Sequence, residues 1–283
     1  MRIPAPTLAA ILTSALLASC AQAPIAGTSA TAQLHAVHRV ATSVDDCVAS
    51  LHGVYTDSAA GLTAPIQLLN WNVHKGASED WHADLRDLAS GKDFVALQEV
   101  VLESGVEVDL PHLEHMAFSQ GYTTRSKTTG VATFSASAPL SECRLSATEP
   151  VLRTPKATSI AELALREHAE TLIVVNLHAV NFTLGLKEFT AQMAAIQQVL
   201  DAHEGPAILS GDFNTWSLRR MHVVDTLVAD LGFSAISLDE DSRKTFNGHP
   251  LDHVFIRGFS SVSGETTVVS TSDHNPMAVE LFL

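Results

Sequence analysis

The chain has 283 residues, 46% of them hydrophobic and 17% charged, enough for a large folded domain with a sizeable core. Asp and Glu outnumber Lys and Arg by 31 to 17, a formal charge of -14. That field repels nucleic acid at long range and excludes tight non-specific DNA binding, though not a nuclease with a local basic rim and a metal ion. Three cysteines are too few for a disulfide scaffold, and fourteen histidines supply groups for metal or acid–base chemistry.

At the N-terminus Arg2 precedes an apolar run over 8–18 that ends at Leu17-Ala18-Ser19-Cys20. The run is too short to span a bilayer and reads as the core of a signal peptide. Leu-Ala-Ser-Cys resembles the bacterial lipobox. The resemblance implies a lipoprotein signal peptide over 1–19, lipidation of Cys20 and a membrane tether by acyl chains. Ala21 rather than Asp leans towards the outer membrane. An exported chain meets an oxidising compartment, where Cys47 and Cys143 either pair or stay free. Residues 21–33 are small and polar, and 34–64 fit a flap or hairpin, so 20–64 reads as a tether and N-terminal extension.

From 65 to 283 the pattern is that of one α/β domain. Strands are predicted at 66–73, 94–100, 131–135, 159–165, 172–177, 207–214, 254–256, 261–270 and 278–282. Helices are predicted at 78–89, with Ser78 as N-cap, at 187–203, where Phe189, Met193, Ile196 and Leu200 share a face, and at 219–231. A loop or helix is expected around 110–120.

Several apolar strands end in polar groups. Asn72 closes the first, Gln98 and Glu99 the second, and His178 and Asn181 follow IVVNL. Asp212 and Asn214 sit at alternate positions after ILSG, so an extended chain points both one way. Asp252 and His253 precede VFIRG, and Asp273 and His274 precede the last strand. Six polar strand ends with this composition suggest one convergent site.

In order and spacing, WNVHKG, LQEV, GVATFS, NLHAVNF, GDFNTW, LDHVFIRG and SDHNP resemble the endonuclease/exonuclease/phosphatase superfamily, the group of pancreatic-type deoxyribonucleases and related metal-dependent phosphoesterases. The resemblance covers residues 65 to 283. It implies a four-layered α/β/β/α sandwich with two mixed β-sheets. It also implies Mg²⁺ (or Mn²⁺) held by Asn72, Glu99 and Asp273, because a hard cation on oxygen ligands neutralises charge developing on a phosphodiester. Asp212 falls where the family orients or deprotonates water, and Asn214 holds that water or a phosphate oxygen. His274 contacts the phosphate, Asp252 bonds His274, and His178 serves as acid for the leaving group. Some relatives carry an Asp ligand where this chain has His74, which suits Zn²⁺ or Mn²⁺ better than Mg²⁺. His253, Trp71 and Trp216 read as packing residues.

Basic residues are few. Arg125, Lys127, Arg144, Arg153, Lys156, Arg219, Arg220, Arg243 and Lys244 are candidates for a phosphate-contacting rim, with Arg219 or Arg220 foremost and Asn181 a further substrate contact. The leading expectation is an exported, lipid-anchored nuclease that acts on DNA in the cell envelope. The first alternative is a phosphatase or a phospholipase C- or sphingomyelinase-like hydrolase of small phosphoesters or lipid head groups. The second is a non-catalytic envelope lipoprotein. No protein partner is predicted.

Overall fold

The computed structural model describes residues 40–56 and 61–283. The expected signal peptide, Cys20 and the tether lie outside the described residues. The elements in chain order are β1 (Val40–Ala41), α1 (Val44–Ser50), β2 (Ile66–Asn72), α2 (Trp81–Leu88), β3 (Phe94–Val101), β4 (His115–Thr123), β5 (Thr128–Ser135), β6 (Ser141–Thr148), β7 (Pro155–Leu163), β8 (Leu172–His178), α3 (Lys187–Asp201), β9 (Ala207–Asp212), α4 (Leu218–Asp230), β10 (Ser234–Ala235), β11 (Thr245–Phe246), β12 (His249–Pro250), β13 (Asp252–Arg257), β14 (Ser261–Thr266) and β15 (Met277–Phe282).

Two mixed sheets dominate. One has the order β1-β6-β7-β8-β9-β13-β10 and the other β14-β15-β2-β3-β5-β4. A parallel pair lies at the centre of each, β8 with β9 and β2 with β3. Alternation along these strands separates three cores. Leu68, Phe94, Val174, Ile208, Val254 and Val279 fill the space between the sheets. Val175, Leu177 and Leu209 point the other way, under α3 and α4, with Phe189, Ile196 and Val224. Leu69, Trp71, Val95 and Leu97 face outward from the second sheet onto Trp81 and Leu85 of α2. The result is the four-layered sandwich, and strands covered on both faces are apolar almost throughout.

Three local differences from the sequence reading have physical causes. The 110–120 region holds β4, an edge strand whose buried positions are Ala117 and Ser119, too small and polar to give a hydropathy signal. The first long helix begins at Trp81 rather than Ser78, and its N-cap Asp80 makes no side-chain bond. The N-terminal extension is part of the sandwich. β1 pairs in parallel with β6, and Cys47 of α1 packs in the same core as Cys143 of β6. Both cysteines are buried free thiols.

The segment after α1 is fastened by one carboxylate. Glu162 on β7 is fully buried. It accepts from the backbone N–H groups of His52 (2.9 Å) and Gly53 (2.7 Å) and from the hydroxyls of Thr171 (2.7 Å) and Ser141 (3.1 Å). Burial would raise its pKa, but these donors outweigh burial and hold it below the usual carboxylate value. A folded pKa below the unfolded one gives stability that is present above about pH 4.3 and is lost as the pH falls through the folded value. Glu162→Gln should therefore cost about 1–3 kcal/mol at pH 7, and wild type should converge on the variant as the pH falls below about 4. Urea denaturation of both proteins across that range measures it.

Candidate functional site

The site forms where the inner faces of the sheets change from apolar to polar. On β8, β9 and β13 the inward positions end in His178, Asp212 and Asp252, which are neighbours in register. On β2 the inward row ends Asn70, Asn72, and β3 contributes Gln98. Gly211 allows β9 to approach β8, since a Cβ there would lie 2.0 Å from the Leu177 carbonyl oxygen and φ is +145°. β3 breaks register between Leu97 and Val100, a bulge that contains Glu99 at φ +55°. His74, Lys75 and Asn214 also take left-handed backbone conformations. Strain of this kind is held only where surrounding contacts over-determine it, and four of the seven non-glycine cases among the described residues fall here.

Glu99, His178, Asp212, Asp273 and His274 line one cavity of about 480 Å³, with Lys75, Lys156 and Lys244 also on its wall. Asn72 lies beneath it. Its amide donates to Asp212 Oδ2 (3.0 Å), and its Oδ1 accepts the His74 N–H (3.0 Å). Asp212 Oδ1 accepts the backbone N–H of Asn214 (2.9 Å), and the Asn214 amide donates to the Ala179 carbonyl (3.1 Å). Burial, with the carboxylate of Asp252 adding to it, pushes Asp212 up to about 6. His274 Nδ1 stands 2.7 Å from Asp252 Oδ2. Burial opposes charge on this ring, but Asp252 outweighs it, aided by Asp212 and Asp273, and raises the imidazole to about 10. His274 is thus an imidazolium set against two buried carboxylates.

His178 differs from the role read in sequence. Its Nε2 is 3.7 Å from both Glu99 and Asp212 and 2.9 Å from Lys156 Nζ. Burial and the adjacent Lys156 ammonium hold it well below the usual histidine value, so the ring is neutral and accepts from Lys156. Lys75 bonds Glu99, and His74 Nδ1 lies 3.6 Å from Asp273. Sequence reading passed over Lys75 and treated Lys156 as one of several rim candidates. The position of Lys156, next after Pro155 at the start of a strand beside His178, is a pairing that only the register discloses.

The donor set fits a hard divalent cation. Asp212, Asp252 and His274 bring side-chain O and N atoms within 4.8 Å of one another, but the His274 imidazolium has no lone pair to give, so only the carboxylates of this group can ligate, and buried Asp252 Oδ1 has no hydrogen-bond partner. Glu99 and Asp273 add carboxylate oxygens on the wall of the same cavity.

The two arginines part company. Arg219 is exposed and lines neither this cavity nor its neighbour. Arg220, read in sequence as a rim residue, is 1% exposed. Its guanidinium donates to the carbonyls of Val180 (2.7 Å), Asn214 (3.1 Å) and Asn181 (2.8 Å) and to Thr183 Oγ1 (2.9 Å), between the rings of Phe189 and Trp216. It buttresses the loops that carry Asn181 and Asn214 and offers no donor to a substrate. Its helical phase with Val224 and Leu227, four and seven residues on, was the available signal. Asn181 stands at the cavity wall, with Oδ1 accepting from Trp216 Nε1 (3.0 Å).

Comparison with known proteins decides the family. The description "Endonuclease/Exonuclease/phosphatase family" matches residues 69–274. The chain belongs to this family. Within it, the chain is 35% identical over 224 residues to a UPF0294 protein of Vibrio cholerae, covering 78% of this chain and 79% of that one. Among solved structures, an endonuclease/exonuclease/phosphatase of Bacteroides vulgatus superposes with a TM-score of 0.61 at 16% identity, covering 77% and 98% of the two chains. A mannosyl-6-phosphatase of Bacteroides thetaiotaomicron superposes with a TM-score of 0.58 at 15% identity, covering 77% and 100%. Such identities establish a shared fold. Family members are phosphoester hydrolases, generally dependent on a divalent metal ion.

The roles of the two arginines separate in a stability measurement. Arg220→Met should cost about 3 kcal/mol or more, because four acceptors lose a charged donor. Arg219→Ala should stay within about 0.5 kcal/mol of wild type. Chemical denaturation of both variants checks this.

Proposed function

We propose that this protein hydrolyses phosphodiester bonds with the help of a divalent metal ion, Mg²⁺ or Mn²⁺, and acts outside the cytoplasm as a lipid-anchored envelope protein. The observation that carries the chemistry is the single cavity shared by Glu99, Asp212, Asp273, His178 and His274, with Asp252 behind His274. The N-terminal run ending at Cys20 supports the location.

Glu99 and Asp273, with Asn72 beneath them, would hold the metal ion, which supplies a positive charge against the phosphate oxygens. Asp212, raised to about 6, is mostly ionised at neutral pH and takes the proton of the attacking water. Asn72 and the Asn214 N–H fix its two oxygens, so the carboxylate is oriented before substrate arrives. The His274 imidazolium, held by Asp252, lies against a phosphate oxygen. On the His178 side, the Lys156 ammonium is the proton-rich partner for the leaving oxygen.

DNA is the substrate first suggested by the sequence, and of the three lysines on the cavity wall Lys244 is the one outside the carboxylate pairs of Lys75 and Lys156. A second reading, a phosphoester with an apolar part, is favoured by a specific observation. Leu152, Phe182 and Phe246 on the wall of the same cavity stand more than half exposed.

Purified protein assayed on plasmid DNA, bis(p-nitrophenyl) phosphate and sphingomyelin should lose its hydrolysis in EDTA and regain it with Mg²⁺ or Mn²⁺. Glu99→Ala and His274→Ala should lower kcat by about 10²–10⁴-fold while the circular dichroism spectrum is unchanged. Variants equal to wild type on every substrate would leave the non-catalytic reading in its place.

A further inference from the structure

A second cavity of about 530 Å³ opens beside the catalytic one. The two share a wall made of Asn181, Phe182, Asn214, Phe246 and Leu251. Beyond that wall the lining is Val151, Thr183, Leu184 and Trp216, with Leu184 89% exposed. In a chain of charge -14, an apolar hollow next to a hydrolytic centre calls for a ligand of its own.

We infer that this cavity holds the aliphatic chain of an amphiphilic phosphodiester whose phosphate sits over Asp212 and His274. The inference rests on the phosphodiesterase reading above and names its substrate class.

The polar groups around the cavity choose between an alkyl chain and a nucleobase. Trp216 Nε1 is bonded to Asn181 Oδ1 at 3.0 Å. The Asn214 amide donates to the Ala179 carbonyl at 3.1 Å. Thr183 Oγ1 donates to the Gly185 carbonyl and accepts from Arg220. A flipped-out base is read by hydrogen bonds along its edge as well as by stacking, and with Trp216 Nε1, Asn181 Oδ1, the Asn214 amide N and Thr183 Oγ1 already engaged, the side chains leave only Asn181 Nδ2 and Asn214 Oδ1 for such a reading. Hydrocarbon needs none. Arg220 also covers one face of Trp216, 4.7 Å from its ring, which removes that face from stacking. Charge points the same way. Of the lysines on the catalytic wall, Lys75 is paired with Glu99 and Lys156 lies 3.9 Å from Glu149, a poor cradle for a polyanion but adequate for one phosphate.

The test is binding of methyl n-alkyl phosphates, from butyl to octyl, to the full chain. It is run in EDTA so that nothing turns over, and is followed by tryptophan fluorescence. Trp216 lines the cavity, whereas Trp71 and Trp81 are buried in another core. Affinity should rise about fourfold per methylene at full burial. In Val151→Asp and Leu184→Asp, both at exposed positions that fold regardless, that dependence should flatten. Affinity independent of chain length in wild type, or thymidine monophosphate binding more tightly than the octyl ester, would overturn the inference. Hydrolysis of methyl butyl phosphate with Mg²⁺, measured in parallel, separates the two claims. Turnover without chain-length dependence removes only the aliphatic pocket. Chain-length-dependent binding with no turnover of any phosphodiester removes the phosphodiesterase reading and, with it, the substrate assignment.

Discussion

The carboxamide of Gln98, buried between the sheets, sets the geometry on which the site depends. It donates to Asn70 Oδ1 (3.0 Å) in its own sheet and to Asn176 Oδ1 (2.8 Å) in the other. The Asn176 amide returns across the interface to the Leu97 and Ala132 carbonyls and to Thr133 Oγ1. Apolar attraction is non-directional, whereas a fully buried hydrogen-bonded cluster is satisfied in one register. Each member stands one or two residues before a group at the site. Asn70 precedes Asn72, Gln98 precedes Glu99, and Asn176 precedes His178. The hub therefore determines how far a carboxylate on one sheet lies from an imidazole on the other. Gln98 Oε1 and Asn70 Nδ2 have no protein partner within this cluster.

Above the hub the chain accepts further cost. Antiparallel pairing sets Asp212 directly opposite Asp252, an arrangement that disfavours two ionised carboxylates on one sheet face. Each is relieved separately. Asn72 and the Asn214 N–H serve Asp212, and His274 serves Asp252. Trp71 then ties the segment bearing His274 to β2 through a 2.9 Å bond from Nε1 to the His274 carbonyl. Ser272 ties the same segment to the Asn72 carbonyl (2.6 Å). The last loop of the chain is thereby fixed to the first long strand.

Much of this was legible in the sequence because strand ends are local features. Asn72, Glu99, His178, Asp212, Asp252 and His274 each follow or begin an apolar run, and the sandwich gathers such ends. What stayed hidden depends on contacts between distant segments. Arg220 beside Arg219 looks like a basic surface pair, and only its phase on α4 separates a buried buttress from a solvated neighbour. The N-terminal extension lacks periodicity because its anchor, Glu162, is more than a hundred residues away. The apolar cavity is assembled from the β6–β7 turn, the loop after β8, the segment after β9 and the β11–β12 hairpin. Each piece contributes one or two apolar residues, too few to register in any window.

Arg220 connects the two cavities. The carbonyls it holds belong to Val180, Asn181 and Asn214, and the side chains of Asn181 and Asn214 form part of the shared wall. Solvating that charge would need only a surface helix. Burying it between Phe189 and Trp216 gives the wall a donor for three carbonyls that would otherwise be desolvated without partners. A wall so fixed holds the Asn214 N–H on Asp212 and, on its other side, the Trp216 ring against the apolar hollow. Under the substrate assignment proposed above, polar chemistry and apolar recognition would share one partition, and contacts made by a remote part of the substrate would bear directly on the alignment of the phosphate over Asp212.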